Sequence, residues 1–134
     1  MNERKRTIAL VDDDPRVLES LGELFESSGY AVRAYPSARG LIDAGLSNVD
    51  CLITDIGMPV VDGFELYGLV KSVRPDLPVF FITGREVMGD QQRALVRGVS
   101  GFFRKPFDGP ALLAAIDDAL RPHEGNNANV RRNS

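Results

Sequence analysis

Four apolar runs in this chain each end on a residue that carries chemistry. Ile8 to Val11 runs into Asp12-Asp13-Asp14, Cys51 to Thr54 into Asp55, Val79 to Ile82 into Thr83, and Gly101 to Arg104 into Lys105-Pro106. Runs this short and this apolar read as strands buried on both faces, the pattern of a parallel sheet. The carboxyl ends of parallel strands share one edge, and open α/β sheets bind their ligands there. Acids, a hydroxyl and an ammonium group are therefore expected to converge.

The segments between the runs have helical spacing. Asp14-Pro15 reads as N-cap and first helical residue, followed by Val17, Leu18, Leu21, Leu24 and Phe25 on one face, with Gly29 as the stop. Tyr30 to Tyr35 reads as a strand, Ser37 as the cap of a short helix with Leu41 and Ile42, and Val49 to Thr54 as a buried strand. Asp62-Gly63 opens a third helix with Leu66, Leu69, Val70 and Val73 facing the core, ended by Arg74-Pro75. Leu77 to Thr83 is a strand, about Met88 to Val99 a fourth helix, and Gly101 to Arg104 the fifth strand. Asp108 caps a last helix in which Leu112, Leu113, Ile116, Ala119 and Leu120 face the sheet. Five strand–helix units predict an α/β fold: a doubly wound, five-stranded parallel sheet in the flavodoxin-like order 2-1-3-4-5.

At 134 residues and 43% hydrophobic content, the chain is expected to form one domain over residues 6–121. Residues 122–134 follow Arg121-Pro122 as a polar, Asn-rich stretch without periodicity, expected to be a disordered tail or linker, with His123 in it. A net charge of −3 and no basic patch argue against direct nucleic-acid binding. Cys51, the single cysteine, lies in an apolar run and reads as core. The basic start is followed by an apolar stretch that three aspartates cut too short for a signal core or a membrane span, so the expected setting is cytoplasmic.

In the order 2-1-3-4-5 the first and third strands are neighbours, which puts Asp12, Asp13 and Asp55 close together. At an effective dielectric near 20, two such charges about 4 Å apart repel by about 4 kcal/mol. Lys105 alone does not balance three carboxylates. A divalent cation would, and an all-oxygen, partly hydrated donor set favours Mg²⁺.

The motifs Val11-Asp12-Asp13-Asp14, Thr54-Asp55-Ile56-Gly57-Met58-Pro59 with Asp62-Gly63, Ile82-Thr83-Gly84 and Lys105-Pro106-Phe107 together resemble the receiver domain of two-component response regulators. The Ile-Thr-Gly and Phe-Phe-Arg-Lys-Pro-Phe stretches are similar to the nitrogen-fixation class of these regulators. The resemblance implies a phosphorylated signalling switch rather than an enzyme with its own substrate. By it, Asp55 accepts a phosphoryl group from the phosphohistidine of a sensor histidine kinase or phosphotransfer protein. Asp13, Asp55 and the Gly57 carbonyl bind Mg²⁺ directly, and Asp12 acts largely through water. Lys105 holds a phosphoryl oxygen, aimed by a cis bond to Pro106, and Thr83 donates its hydroxyl to another oxygen. Phe102 is the aromatic that moves inward when Thr83 is drawn to the phosphate. Two positions depart from the usual pattern. Gly57 offers no side chain beside the phosphate, and Arg85, two residues after Thr83, can reach across the mouth of the site.

Competing readings fit less well. Three aspartates would repel a flavin phosphate in the first loop. An aspartyl-phosphate hydrolase wants a small residue where Arg16 stands, and needs a cap domain. The two Gly-x₄-Gly stretches lack the Lys-[Ser/Thr] of a nucleotide-binding loop. The expected output is a protein-binding face built by the fourth helix, fifth strand and fifth helix. Arg93, Arg97, Arg104, Asp117 and Asp118 would give it both charge signs for a downstream partner or a phosphorylation-dependent homodimer. The alternative is that the chain is the amino-terminal receiver of a longer DNA-binding transcription regulator.

Overall fold

The computed structural model describes residues 5–85 and 87–121. The expected polar tail lies outside the described residues. Five strands, β1 (Thr7–Val11), β2 (Ala31–Tyr35), β3 (Cys51–Asp55), β4 (Val79–Thr83) and β5 (Gly101–Arg104), alternate with five helices. These are α1 (Pro15–Glu26), α2 (Ala38–Ala44), α3 (Gly63–Val73), α4 (Asp90–Arg97) and α5 (Gly109–Leu120). All strand pairs are parallel, and the sheet order is β2-β1-β3-β4-β5, as the sequence predicts.

Alternation along the strands separates two apolar layers. Ile8, Leu10, Cys51, Ile53, Phe80 and Ile82 meet Leu21 and Phe25 of α1 and Leu112, Ile116 and Leu120 of α5. Ala9, Val11, Leu52, Val79 and Phe81 meet the opposite layer from α2, α3 and α4, where Phe64 stands edge-on to Phe81 at 5.1 Å between ring centroids. Phe81 and Phe64 are fully buried, and burying each such side chain contributes about 1.5–3 kcal/mol. Wholly buried, β1, β3 and β4 carry the site at their carboxyl ends.

The caps lie where the sequence places them. Asp14 accepts from the Arg16 N–H, Ser37 from Gly40 and Asp108 from Ala111, while Asp62 and Glu65 form a reciprocal capping box. These caps start the helices directly behind the strand ends, which keeps the site loops short. Helix α4 is shorter than the expected Met88–Val99 because glycines bracket it, Gly98 ending it at φ 96°.

Two expected core residues of α3 are not buried: Leu69 is 50% and Val73 68% exposed. The sheet takes Phe64, Leu66, Tyr67 and Val70 instead, and Leu69 and Val73 flank that contact in a shallow groove against Leu41, Ile42 and Leu46 of the α2 region. On α5, Leu113 and Ala119 are likewise only half-buried.

Candidate functional site

Four loops meet at the carboxyl edge of the sheet. Asp12 follows β1 directly and is 1% exposed; its backbone N–H reaches the Tyr35 carbonyl, and its Oδ1 accepts from the Asp14 N–H at 2.9 Å. The other oxygen, Oδ2, lies 2.7 Å from the Lys105 ammonium. That contact is close but lacks hydrogen-bond alignment, so Oδ2 is a buried carboxylate oxygen held by charge alone. Asp55 ends β3, buried, with Oδ1 3.7 Å from the same ammonium. Asp13 is exposed at the rim. Oxygens from Asp12, Asp13 and Asp55 all lie within 4.8 Å of one another, as the strand order requires.

Burial, and after it the Asp12 carboxylate, push the Asp55 carboxyl above its usual range; Lys105 opposes the shift, Asp13 adds to it, and the Gly57 N–H bond opposes it. Lys105 is held from behind: its backbone N–H donates to the Thr83 carbonyl at 2.8 Å, and the Lys105–Pro106 peptide is cis, as the resemblance implies. Gly63 is indispensable at the back of the site. A Cβ there would sit 2.6 Å from the Asp55 carbonyl oxygen and 2.8 Å from Ile56 Cα, so only glycine lets α3 start against the end of β3.

Thr83 is buried at the end of β4, with its hydroxyl engaged locally: the Arg85 N–H donates to Oγ1 at 3.0 Å. Phe102 and Phe103 point to opposite sides of the sheet as expected. Phe102 is half-buried against the α3–α4 layer, with the Arg104 guanidinium 5.8 Å from its ring centre.

The charged residues expected on the output face each have a local partner. Arg93 lies over the Phe64 ring at 3.8 Å and Arg97 approaches the same ring. Asp117 accepts a hydrogen bond from Tyr30 near β2, and Asp118 pairs with Arg121 at 3.0 Å. Beside α4, Arg104 instead lines a groove of about 580 Å³ with Val87, Met88, Gln92 and Leu95.

The response regulator receiver-domain family model matches residues 8–117. The chain belongs to that family. Among curated receiver-containing relatives, the transcriptional regulatory protein GlrR of Escherichia coli is 39% identical over 121 residues, covering 90% of this chain and 27% of that protein. The transcriptional regulatory protein FixJ of Azorhizobium caulinodans is 36% identical over 114 residues, covering 84% of this chain and 54% of its own length. Among solved structures, the response regulator StyR matches with TM-score 0.79 at 33% identity, over 88% of this chain and 60% of that one. This receiver domain thus spans roughly a quarter to three fifths of such relatives.

Receiver domains bind Mg²⁺ at an acidic pocket, and the donor set here fits such an ion: three convergent carboxylates, one of them with a buried oxygen lacking a hydrogen-bond donor, and no soft ligand among them. One feature of the site carries no signal in the apolar pattern. Arg85 Nε donates to Asp90 Oδ2 at 2.9 Å, tying the loop after β4 to the first turn of α4. Asp90 has the polarity of a surface residue in sequence, and its burial follows only from that pairing. No helix among the described residues is long and apolar enough to cross a membrane.

Proposed function

We propose that this receiver domain is a phosphorylation-activated switch in which Asp55 is the phosphoacceptor. The carrying observation is the division of labour around one ammonium group: Lys105 lies 2.7 Å from Asp12 and 3.7 Å from Asp55. Asp12 has one oxygen on the Asp14 N–H and the other on Lys105, and Asp13 is at the rim. Asp55, buried at the end of the central strand, keeps an oxygen for bond formation.

In the transfer, an Asp55 oxygen bonds to the phosphorus of a phosphohistidine on a sensor histidine kinase or phosphotransfer protein. The P–N bond breaks, and the imidazole leaves with that electron pair. Asp13, Asp55 and the Gly57 carbonyl would hold Mg²⁺ directly and Asp12 through water, and the bound ion would offset charge on the phosphoryl oxygens. Lys105 holds one of those oxygens, and Thr83 turns its hydroxyl to another. The domain thereby assists its own phosphorylation and dephosphorylation, in the cytoplasm where such a kinase presents its phosphohistidine.

The output is assigned to α4, β5 and α5. Phe102 moves inward as Thr83 is drawn to the phosphoryl group, and the α4 surface changes with it. Met88 is fully exposed and Leu95 and Val96 more than half so, an apolar surface suited to a protein partner or a second copy of the domain. The relatives that this chain covers only in part favour a second reading, that it is the receiver of a longer transcription regulator.

Incubation with acetyl phosphate and Mg²⁺, followed by phosphate-affinity electrophoresis, tests the assignment. The unmodified chain is expected to take up label, Asp55→Asn none, and Asp13→Asn much less. Undiminished uptake by Asp55→Asn refutes the reading.

A further inference from the structure

Arg85 touches both the Thr83 side of the phosphoacceptor site and the start of α4. Its backbone N–H donates to Thr83 Oγ1, and its side chain donates from Nε to Asp90 Oδ2 at 2.9 Å. Between those two anchors the side chain crosses Gly57. A Cβ on Gly57 would lie 3.3 Å from Arg85 Cδ, 3.9 Å from Nε and 4.0 Å from Nη1. The backbone N–H of residue 57 lies near enough the Asp55 carboxylate to favour its charged form. The absent side chain at 57 therefore leaves a lane that the Arg85 side chain fills, beside the residue whose backbone faces the acceptor carboxylate.

We infer that Arg85 is a phosphoryl-binding residue held in reserve by Asp90, and that phosphorylation transfers it from Asp90 to the phosphoryl group. The inference rests on Asp55 as phosphoacceptor. Among the described residues the Arg85–Asp90 pair is made through Nε alone, which leaves both terminal nitrogens of the guanidinium outside that bond. An acyl phosphate on Asp55 adds negative charge and acceptor oxygens, and a planar guanidinium matches such oxygens two at a time. The resting tie to Thr83 works in the same direction. Once the Thr83 hydroxyl turns to the phosphoryl group, the Arg85 N–H loses its acceptor, and the loop that holds the side chain in place is released.

The consequence falls on α4. Asp90 is its first residue, 7% exposed at the side chain, behind an N-cap glycine that offers no side-chain bond. A carboxylate that loses its paired cation while buried has to reach water or a new donor. Departure of Arg85 thus obliges the first turn of α4 to rearrange, next to the groove lined by Met88, Gln92 and Leu95. Phosphoryl binding by Arg85 and the shape of α4 become two ends of one equilibrium.

Beryllofluoride with Mg²⁺, a phosphoryl mimic, is the probe, applied to the full chain and to Asp90→Asn, Arg85→Ala and the double variant. Nitrogen-15 spectra that follow the Arg85 Nε–H signal accompany the titration. Asp90→Asn frees Arg85 and is expected to tighten beryllofluoride binding by about fivefold, the low end of site-to-site couplings; Arg85→Ala is expected to weaken it by about as much. The gain from Asp90→Asn should vanish in the Arg85→Ala background, and the Arg85 Nε–H signal of the unmodified chain should shift on saturation. A pairing that merely stiffens the loop would make Asp90→Asn neutral or weaker. The inference is overturned if the unmodified chain binds beryllofluoride with the Nε–H signal unmoved, or if the Asp90→Asn gain survives without Arg85. If the unmodified chain binds none and Asp55 takes up no label from acetyl phosphate, the phosphoacceptor reading itself falls, and the inference with it.

Discussion

Replacing Lys105 with methionine keeps the length of a stem that passes Gly84 and removes the ammonium that sits between Asp12 and Asp55. At an effective dielectric near 20, the contacts at 2.7 Å and 3.7 Å are worth about 6 and about 4 kcal/mol of gross attraction. Three carboxylate oxygens within 4.8 Å of one another repel by about 3 kcal/mol per pair or more on the same scale. One ammonium therefore cancels most of the repulsion, and its removal exposes it. Asp13 at the rim and the partly exposed Lys105 temper the effect, so the expected loss is about 3 kcal/mol, the low end for breaking one side of a buried ion pair.

The assay is urea unfolding of Lys105→Met and the unmodified chain, with chelator and with millimolar Mg²⁺. It is followed by far-ultraviolet circular dichroism, because the chain has no tryptophan. In chelator at neutral pH the variant should be the weaker protein, and Mg²⁺ should return most of the difference. The variant should also bind Mg²⁺ about tenfold more tightly, equivalent to about 1.4 kcal/mol. The pH dependence has a definite sign. Asp55 already lies above its ordinary value of 3.8, from burial first and Asp12 second, and Lys105 is an influence pulling it down. Without Lys105 the folded state holds that proton still more firmly than the unfolded chain, so the variant gains stability as pH falls from neutral toward the unfolded value, and the gap narrows. A variant as stable as the unmodified chain in chelator, or a gap that widens on acidification, would refute the electrostatic account.

Asp55→Asn should stabilise the unphosphorylated domain in chelator at neutral pH by about 2 kcal/mol: on the same scale it relieves about 3 kcal/mol of repulsion from each of Asp12 and Asp13 and gives up about 4 kcal/mol of attraction to Lys105. Because the folded-state value of Asp55 is raised, that advantage should fade as pH drops through it toward 3.8, which a pH series of urea midpoints will show. Gly63→Ala forces a Cβ to within 2.6 Å of the Asp55 carbonyl oxygen and should cost about 2–3 kcal/mol in thermal unfolding while slowing uptake from acetyl phosphate. Val60→Gly should do the reverse for stability. Val60 holds φ at 70° while 97% exposed, so glycine relieves a left-handed strain with no packing to lose, a gain of about 0.5–1 kcal/mol after the added chain entropy.

The sheet and its functional edge were legible because both are written in period and punctuation. Each buried run stops at the residue that leaves the sheet, and Asp14-Pro15, Ser37, Asp62-Gly63 and Asp108 mark where the helices begin. The strand order then brings Asp12, Asp13 and Asp55 together with no further information. Period is a weaker guide to the limits of a buried stripe. Leu69 and Val73 have the spacing of α3's core face, yet half or more of each stays exposed beside the groove against Leu41, Ile42 and Leu46.

Long charged side chains were the least legible, for a physical reason. A helical position fixes where Cβ points, but a guanidinium or carboxylate several bonds further out goes wherever a counter-charge, a ring or a hydroxyl receives it. So Arg93 and Arg97 turn to Phe64, and Asp117 to Tyr30, partners that spacing along a helix does not reveal. The same freedom placed Arg85 on Asp90. Gly57 belongs with that pair: in sequence it reads as a missing side chain beside the acceptor, and only the position of Arg85 gives the vacancy a use. A residue larger than glycine at 57 would meet Arg85 Cδ at 3.3 Å and press on the stem that carries the guanidinium. The two departures from the usual receiver pattern are thus one structural feature, and substituting either should change the electrostatics at Asp55 through the other.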